Sequence, residues 1–192
     1  MIITEPRWKA FIVETTKPIF TPEQCKLIIE AGRSEPRQQG QVGGGATGTI
    51  DTKTRTSHIS WIPFKKMLDM YKDIEKIMKV TNGNHFGFDN VQITELAQYT
   101  EYSEGGFYDW HMDCNVNCVN EPPVRKISMT CLLSPESEFE GGDLELMSEG
   151  KVAKLKQGHA VFFASFLNHR VKPVTKGNRK SLVMWFGGTP FK

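Results

Sequence analysis

The sequence of 192 residues predicts a mainly β (α+β) fold, a jelly roll braced by N-terminal helices. Helical periodicity is confined to the first 90 residues, where two amphipathic segments occur. From about Val91 onward, short apolar stretches follow one another between glycines, prolines and asparagines, which is typical of a double-sheet β-fold. A chain of this length favours one domain, so we expect residues 1–90 to support a jelly-roll core over residues 91–190.

Bulk composition is that of an ordinary globular protein. Apolar residues make up 39% and charged residues 24%, and a net charge of +2 gives no electrostatic case for nucleic acid or for an anionic membrane. No apolar run approaches the roughly 20 residues that span a bilayer, and the first residues lack a signal-peptide pattern. The four cysteines are few and scattered, so we expect reduced thiols and a cytoplasmic protein.

The N-terminal third predicts a strand, a helix and a loop. Residues Ala10–Thr15 have strand character, and Thr21 then begins a helix as its N-cap, with Pro22 in the first turn and Gln24 completing a capping box. The buried face of this helix is formed by Cys25, Ile28, Ile29 and Ala31. The glycine-rich segment Gln38–Gly48 predicts a loop, either a plain surface loop or a lid near the site.

A second helix and a series of strands follow. Arg55–Trp61 predicts a strand, and Phe64–Lys79 a helix that Asn82 and Gly83 end. Seven further strands are predicted at Val91–Tyr99, Gly106–Asp113, Arg125–Leu133, Asp143–Met147, Ala160–Ser165, His169–Val174 and Lys180–Phe186.

His111, Asp113 and, 58 residues after the first, His169 predict a metal site. Residues two apart in a strand point to the same side, so the first two can grip one ion from a single strand end. Two imidazoles and one carboxylate leave three positions open, the geometry of non-haem Fe(II) enzymes that activate oxygen. Two alternatives remain at this point: a chance HxD pattern, or a zinc site that combines His111 with Cys114 and Cys118.

Arg179, ten residues after the third ligand, predicts an anion pocket beside the metal. Strand alternation puts it on one face with Ser181, and together they can bind a carboxylate. A dicarboxylate co-substrate such as 2-oxoglutarate would fit this pocket by charge. Fe(II) with one aspartate carries one net positive charge, and dianionic 2-oxoglutarate brings the sum to minus one. A buried arginine then restores neutrality. The alternative is a surface arginine at a β-turn.

These residues resemble the 2-oxoglutarate/Fe(II) oxygenases, in particular the prolyl 4-hydroxylase-like and PKHD-type group. The resemblance covers about half of the chain, in the family's order, through Gln98–Tyr99, Gly106–Asp113, Ser128–Ser134, Glu140–Leu146, His169–Arg179 and Trp185. It implies a double-stranded β-helix, the fold that the strand pattern predicts independently.

The resemblance also implies roles for individual residues. His111, Asp113 and His169 are similar to the family's iron ligands, and Arg179 to the partner of the distal carboxylate of 2-oxoglutarate. Tyr99 is similar to a tyrosine that lines the co-substrate pocket, while Tyr108 and Trp185 match a substrate-mouth aromatic and a pocket-wall tryptophan; for these three a plain core role is the alternative. Some relatives have a tyrosine at the position of Leu132 that helps hold the carboxylate, and Ser181 or Thr130 is the candidate substitute here.

The activity implied is that of a single Fe(II)- and 2-oxoglutarate-dependent dioxygenase domain over residues 1–192, with ascorbate as a further cofactor candidate. It would use O2 to hydroxylate a C–H bond of a prolyl or similar side chain in a protein or peptide, and release succinate and CO2. The alternatives are a free amino acid or other small-molecule substrate, or a non-catalytic cupin-like metal-binding module. Nucleic-acid demethylases of the superfamily carry a second arginine six residues after the first, and here that position is Trp185.

Overall fold

Two antiparallel sheets face each other, and two helices cover the outer side of the larger one. This computed structural model describes residues 10–43, 48–114, 123–147, 151–153 and 155–191. Part of the predicted glycine-rich loop, residues 44–47, and Cys118 lie outside these ranges. Within the described ranges no helix is long and apolar enough to cross a membrane.

The first helix, α1 (Pro22–Arg33), begins as the sequence predicts. The Thr21 hydroxyl accepts from the Gln24 backbone N–H, and the Gln24 side chain accepts from the Thr21 N–H, which satisfies two N-terminal donors. The second helix, α2 (Leu68–Thr81), follows a 3-10 turn at Phe64–Lys66. The α-helix ends at Thr81 with Asn82 as its C-cap, as predicted, and a π-helical turn, Asn82–Phe86, follows before Gly87 adopts φ 69°.

The described residues form fifteen strands: β1 (Ile12–Glu14), β2 (Gln38–Gln39), β3 (Arg55–Thr56), β4 (His58–Ile62), β5 (Gln92–Ile93), β6 (Ala97–Tyr102), β7 (Phe107–His111), β8 (Val124–Leu132), β9 (Phe139–Gly141), β10 (Leu144–Leu146), β11 (Lys151–Ala153), β12 (Ala160–Ala164), β13 (His169–Val171), β14 (Val174–Gly177) and β15 (Arg179–Gly188). The major sheet has the order β1-β12-β8-β15-β6-β4-β2, with β5 also paired to β15. The minor sheet has the order β11-β10-β13-β7-β3, and β14 pairs with β9.

One predicted strand belongs to both sheets. The segment predicted at Arg55–Trp61 divides at Ser57, so that β3 pairs with β7 in the minor sheet and β4 pairs with β6 in the major sheet. The segment predicted at His169–Val174 also divides, into β13 of the minor sheet and β14, which pairs with β9 in a separate two-stranded sheet. The crossing at Ser57 connects the two main sheets beside the space between them, and a jelly roll in this way builds a site from residues distant in sequence.

Two apolar cores hold the layers together. The larger one lies between the helices and the outer face of the major sheet, and the smaller one lies between the two sheets. The buried Tyr71 hydroxyl of α2 donates to the Ile62 carbonyl and accepts from the Ala97 N–H, which ties the helix to two strands. The predicted jelly roll braced by N-terminal helices is therefore confirmed.

Candidate metal centre

Three candidate ligands meet at one end of the space between the sheets. His169 on β13 lies directly opposite His111 on β7 in the strand register, and Asp113 follows two residues after β7 ends. One Asp113 carboxylate oxygen lies 3.7 Å from His111 Nε2 and the other 3.5 Å from His169 Nε2. The three ligand atoms lie within 4.8 Å of one another, close enough to share a single ion.

Both imidazoles are oriented by backbone carbonyls. His111 Nδ1 lies 2.8 Å from the Asp109 carbonyl oxygen, and His169 Nδ1 lies 3.0 Å from the Leu167 carbonyl oxygen. A carbonyl can only accept, so each Nδ1 carries the proton and donates it. Each Nε2 is then left with a free lone pair on the side of Asp113, the tautomer that metal ligation requires.

The Asp113 carboxylate is held by a pair of serines. Ser128 Oγ on β8 donates to Asp113 Oδ2 at 2.7 Å, and it lies 2.9 Å from Ser165 Oγ. The Ser165 carbonyl also accepts the backbone N–H of Asp113 at 3.0 Å and of Cys114 at 2.8 Å, which bends the chain inward after β7. The carboxylate is thus fixed from both its backbone and its side chain.

Burial and the neighbouring groups together set the charge states of the site. Loss of solvent, together with the neighbouring His169, lowers the pKa of His111 to about 3, so this imidazole is neutral at physiological pH. Burial opposes ionisation of Asp113, but His169, His111 and the Ser128 hydrogen bond outweigh it, and the pKa of this carboxyl is lowered. A neutral imidazole and an ionised carboxylate are the forms that bind a divalent metal.

Arg179 lines the same cavity and makes no ion pair, although the charge of Asp143 acts on it from beyond ion-pair distance. Its side chain is buried and donates from Nη1 to Ser181 Oγ at 3.2 Å, while its guanidinium carbon lies 5.7 Å from the centre of the Tyr102 ring. Burial lowers the pKa of this guanidinium. Among the described residues no carboxylate lies within ion-pair distance of it, so the position suits a bound carboxylate, as one end of 2-oxoglutarate would provide.

Most of the predicted site residues line this cavity. Besides the metal ligands and Arg179, its wall includes Ser181, Thr130, Tyr108 and Trp185. Tyr108 stacks on His111 with ring centres 3.5 Å apart and 14° between planes, and its own burial raises its pKa to about 12. The Trp185 Nε1 donor is buried and has no partner among the described residues.

The structure places Tyr99 outside the metal cavity, although the family resemblance implies a role for it in the co-substrate pocket. Tyr99 lies on the opposite face of β6, beneath α1, where a Cβ on Gly32 would come within 2.4 Å of its ring. The alternate residues of the same strand, Gln98, Thr100 and Tyr102, line the cavity instead. Tyr102 faces Arg179 across the β6–β15 pair and is a pocket residue that the sequence reading missed.

Two arginines that the sequence alone did not assign to the site lie at its mouth. Arg125 makes a bidentate ion pair with Glu95, and its guanidinium lies 4.0 Å above the Trp185 ring. Arg55 lies on the wall of the metal cavity, and strand alternation in a polar segment was its only signal.

The zinc alternative gains no support from the described residues, since the assembled donor set contains Asp113 and His169 rather than Cys114.

Comparison with known families agrees with this geometry. Residues 97–187 match the model of the 2OG-Fe(II) oxygenase superfamily. PKHD-type hydroxylases of Alteromonas mediterranea and Idiomarina loihiensis are 37% identical over 93 residues and 41% identical over 96 residues. These matches cover 45% and 47% of this chain and 41% and 42% of the relatives, so the matched region spans about two fifths of their length. The family resemblance seen in the sequence is confirmed.

Solved structures extend the fold match to almost the whole chain. A viral collagen prolyl hydroxylase from Paramecium Bursaria Chlorella virus-1 superposes with a TM-score of 0.73 at 17% identity, covering 94% of this chain and 97% of that one. A Trichoplax adhaerens prolyl hydroxylase in complex with a hypoxia inducible factor peptide gives 0.70 at 20% identity, covering 93% and 84%. At these identities the likeness shows the fold, a jelly roll with sequence-distant strands around one site.

Proposed function

We propose that this chain is an Fe(II)- and 2-oxoglutarate-dependent dioxygenase that hydroxylates a C–H bond. The observation that carries the proposal is one cavity that holds His111, Asp113, His169 and an unpaired buried Arg179. A protein that only stores metal would need the three ligands and no buried cation beside them. The buried cation beside them supports a co-substrate that is both a metal chelator and a carboxylate.

Different residues of the cavity would bind the metal and the co-substrate. His111, Asp113 and His169 would hold Fe(II), which would supply the oxygen chemistry with 2-oxoglutarate and O2 as co-substrates and succinate and CO2 as co-products. Arg179, with the Ser181 hydroxyl, would bind the distal carboxylate. Leu132, which takes a position where some relatives have a tyrosine, is buried and apolar. Further polar residues that line the cavity are Tyr102, Thr130, Gln98 and Thr100.

For the substrate we propose a prolyl or similar side chain of a protein or peptide. Support comes from the PKHD-type names of the sequence relatives and from the prolyl hydroxylases of the same fold, one of which was solved with a peptide. The aromatic side chains of Tyr108 and Trp185 at the mouth offer apolar faces on which the aliphatic ring of a prolyl side chain can pack. Under this proposal the natural partner is a polypeptide rather than nucleic acid.

The test is succinate formation from 2-oxoglutarate by protein loaded with Fe(II), with ascorbate as reductant and with or without proline-containing peptides. We expect turnover that rises with a substrate peptide and vanishes in His169→Ala. His159→Ala is the matched control, because His159 also contacts a backbone carbonyl through Nδ1, at 3.1 Å from Thr15, but lies outside the cavity. Metal binding with no succinate under any condition would instead identify a non-catalytic metal module.

A further inference from the structure

Arg55 stands where the metal cavity opens into an outer cleft of about 320 Å3. The two spaces share a wall, since Arg55, Gln98, Tyr108, Asp113 and Trp185 line both. The outer cleft also includes Trp61 and the ion-paired Arg125, and it is the direction from which a substrate would approach the metal. Arg55 itself is only 7% exposed, which is unusual for a cation at a cavity mouth.

Every contact that holds Arg55 is with a neutral group. Its Nε donates to Ser57 Oγ at 2.8 Å, Nη1 to the Gln41 carbonyl at 2.9 Å, and Nη2 to Gln98 Oε1 at 2.9 Å. The guanidinium carbon lies 4.4 Å from the centre of the Tyr108 ring. A guanidinium has five N–H donors, so this arrangement fixes the group and leaves two donors for a ligand.

The nearby carboxylates are committed to other partners. Asp113 accepts from Ser128 and faces the two histidines, and Glu95 is paired with Arg125. Among the described residues no carboxylate lies within ion-pair distance of Arg55, so its charge is not compensated. A buried unpaired cation is costly, and this cost is offset when an anion binds.

A sum of the formal charges gives the two buried arginines, Arg179 and Arg55, different roles. With Fe(II), Asp113, dianionic 2-oxoglutarate and Arg179 in place, the inner cavity sums to zero. Arg55 then leaves one positive charge on the side of the outer cleft. Its position is close to the chemistry, because Arg55 lies against Tyr108 and the Tyr108 ring stacks at 3.5 Å on the metal ligand His111.

We propose that Arg55 binds a carboxylate of the substrate and thereby selects acidic substrates over neutral or cationic ones. This inference rests on the proposed function, since it takes the substrate to lie between Arg55 and the metal. The carboxylate is either the α-carboxylate of a terminal or free residue, or an acidic side chain next to the residue that is hydroxylated. A lysyl side chain would be repelled from this position.

The test compares the affinities of matched acidic and neutral ligands for protein loaded with Mn(II) and 2-oxoglutarate. This form of the protein binds ligands without turning them over. N-acetyl-L-proline against its primary amide tests the α-carboxylate, and acetyl-Pro-Glu-amide against acetyl-Pro-Gln-amide tests an acidic side chain. Paramagnetic Mn(II) accelerates the relaxation of the proline ring protons of a ligand bound beside it. Titration therefore gives a Kd and the location together, and Zn(II)-loaded protein gives the diamagnetic baseline.

We expect the acid of at least one pair to bind about 10- to 100-fold more tightly than its neutral counterpart, as for a charge-assisted hydrogen bond. Arg55→Gln should abolish that preference and Arg55→Lys should keep part of it. Arg37→Gln, at an arginine that lines a different cavity, should change nothing.

Three results would overturn the role of Arg55: equal affinities within both pairs, no detectable binding of either acid, or an Arg55→Gln loss of the same factor for acid and neutral ligand. The last result would mean that Arg55 only ties β3 to β6. Succinate formation by the unaltered protein, measured separately, tells whether the proposed function stands when the selectivity does not.

Discussion

Replacement of Ser128 by alanine should weaken metal binding without changing a ligand. The Ser128 hydroxyl is fully buried and donates to Asp113 Oδ2 at 2.7 Å, and the second serine, Ser165, reaches the carboxylate only through it. A hydrogen bond to a charged group contributes about 1.5–3 kcal/mol, and loss of such an outer partner costs about 10- to 100-fold in metal affinity. Ser128→Ala should therefore raise the Kd for Mn(II) by about 10-fold or more.

The assay is an anaerobic titration of metal-free protein, with free Mn(II) measured by its electron paramagnetic resonance signal. Ser128→Thr keeps the hydroxyl and should retain most of the affinity. Ser134→Ala is the matched control, since Ser134 is a buried serine just past the same strand whose hydroxyl accepts from the Lys180 N–H at 2.7 Å, away from the ligands. An unchanged Kd in Ser128→Ala, or an equal loss in Ser134→Ala, would refute the reasoning.

Three further outcomes follow from buried groups. Arg179→Gln should raise the Kd for 2-oxoglutarate by about 30-fold or more, as measured by calorimetry. The same change should leave the melting temperature of metal-free protein undiminished, because it removes an uncompensated buried charge; a lower melting temperature would contradict this. Gly32→Ala should cost about 1–3 kcal/mol in urea unfolding, because its Cβ would meet the Tyr99 ring at 2.4 Å, whereas Gly83→Ala, with open space around it, should be tolerated. Burial raises the pKa of the Cys25 thiol to about 11, so iodoacetamide at pH 8 should label it only after unfolding, and rapid labelling of the native protein would argue against its burial.

The layers of the fold and the spacing of the candidate ligands His111 and Asp113 were predictable from the sequence because both depend on local patterns. Helix α1 has a capping box, and His111 at the end of β7 is two residues from Asp113, the spacing that the strand pattern uses. Arg179 and Ser181 share a face of β15, as alternation requires. These signals need no knowledge of which strands are neighbours.

The remaining site residues depended on which face of a strand meets the cavity. In β6 both faces are buried, so hydrophobicity does not distinguish Tyr99 from Tyr102, and the two differ by an odd number of positions. The division of the Arg55–Trp61 segment between two sheets likewise depends on contacts with strands that are distant in sequence. Its turn at Ser57 decides that Arg55 faces the metal cavity, and no local pattern marks that turn.

The pairing of β7 with β13 has a consequence for the lifetime of the protein. Only two residue pairs join these strands, with a register irregularity between them, and one pair is His111 with His169. An ion held there would add a connection between these two strands, so its loss would make their separation easier. In a cell short of iron, proteases would meet the opened form more often, and abundance as well as catalytic rate would follow the supply of metal.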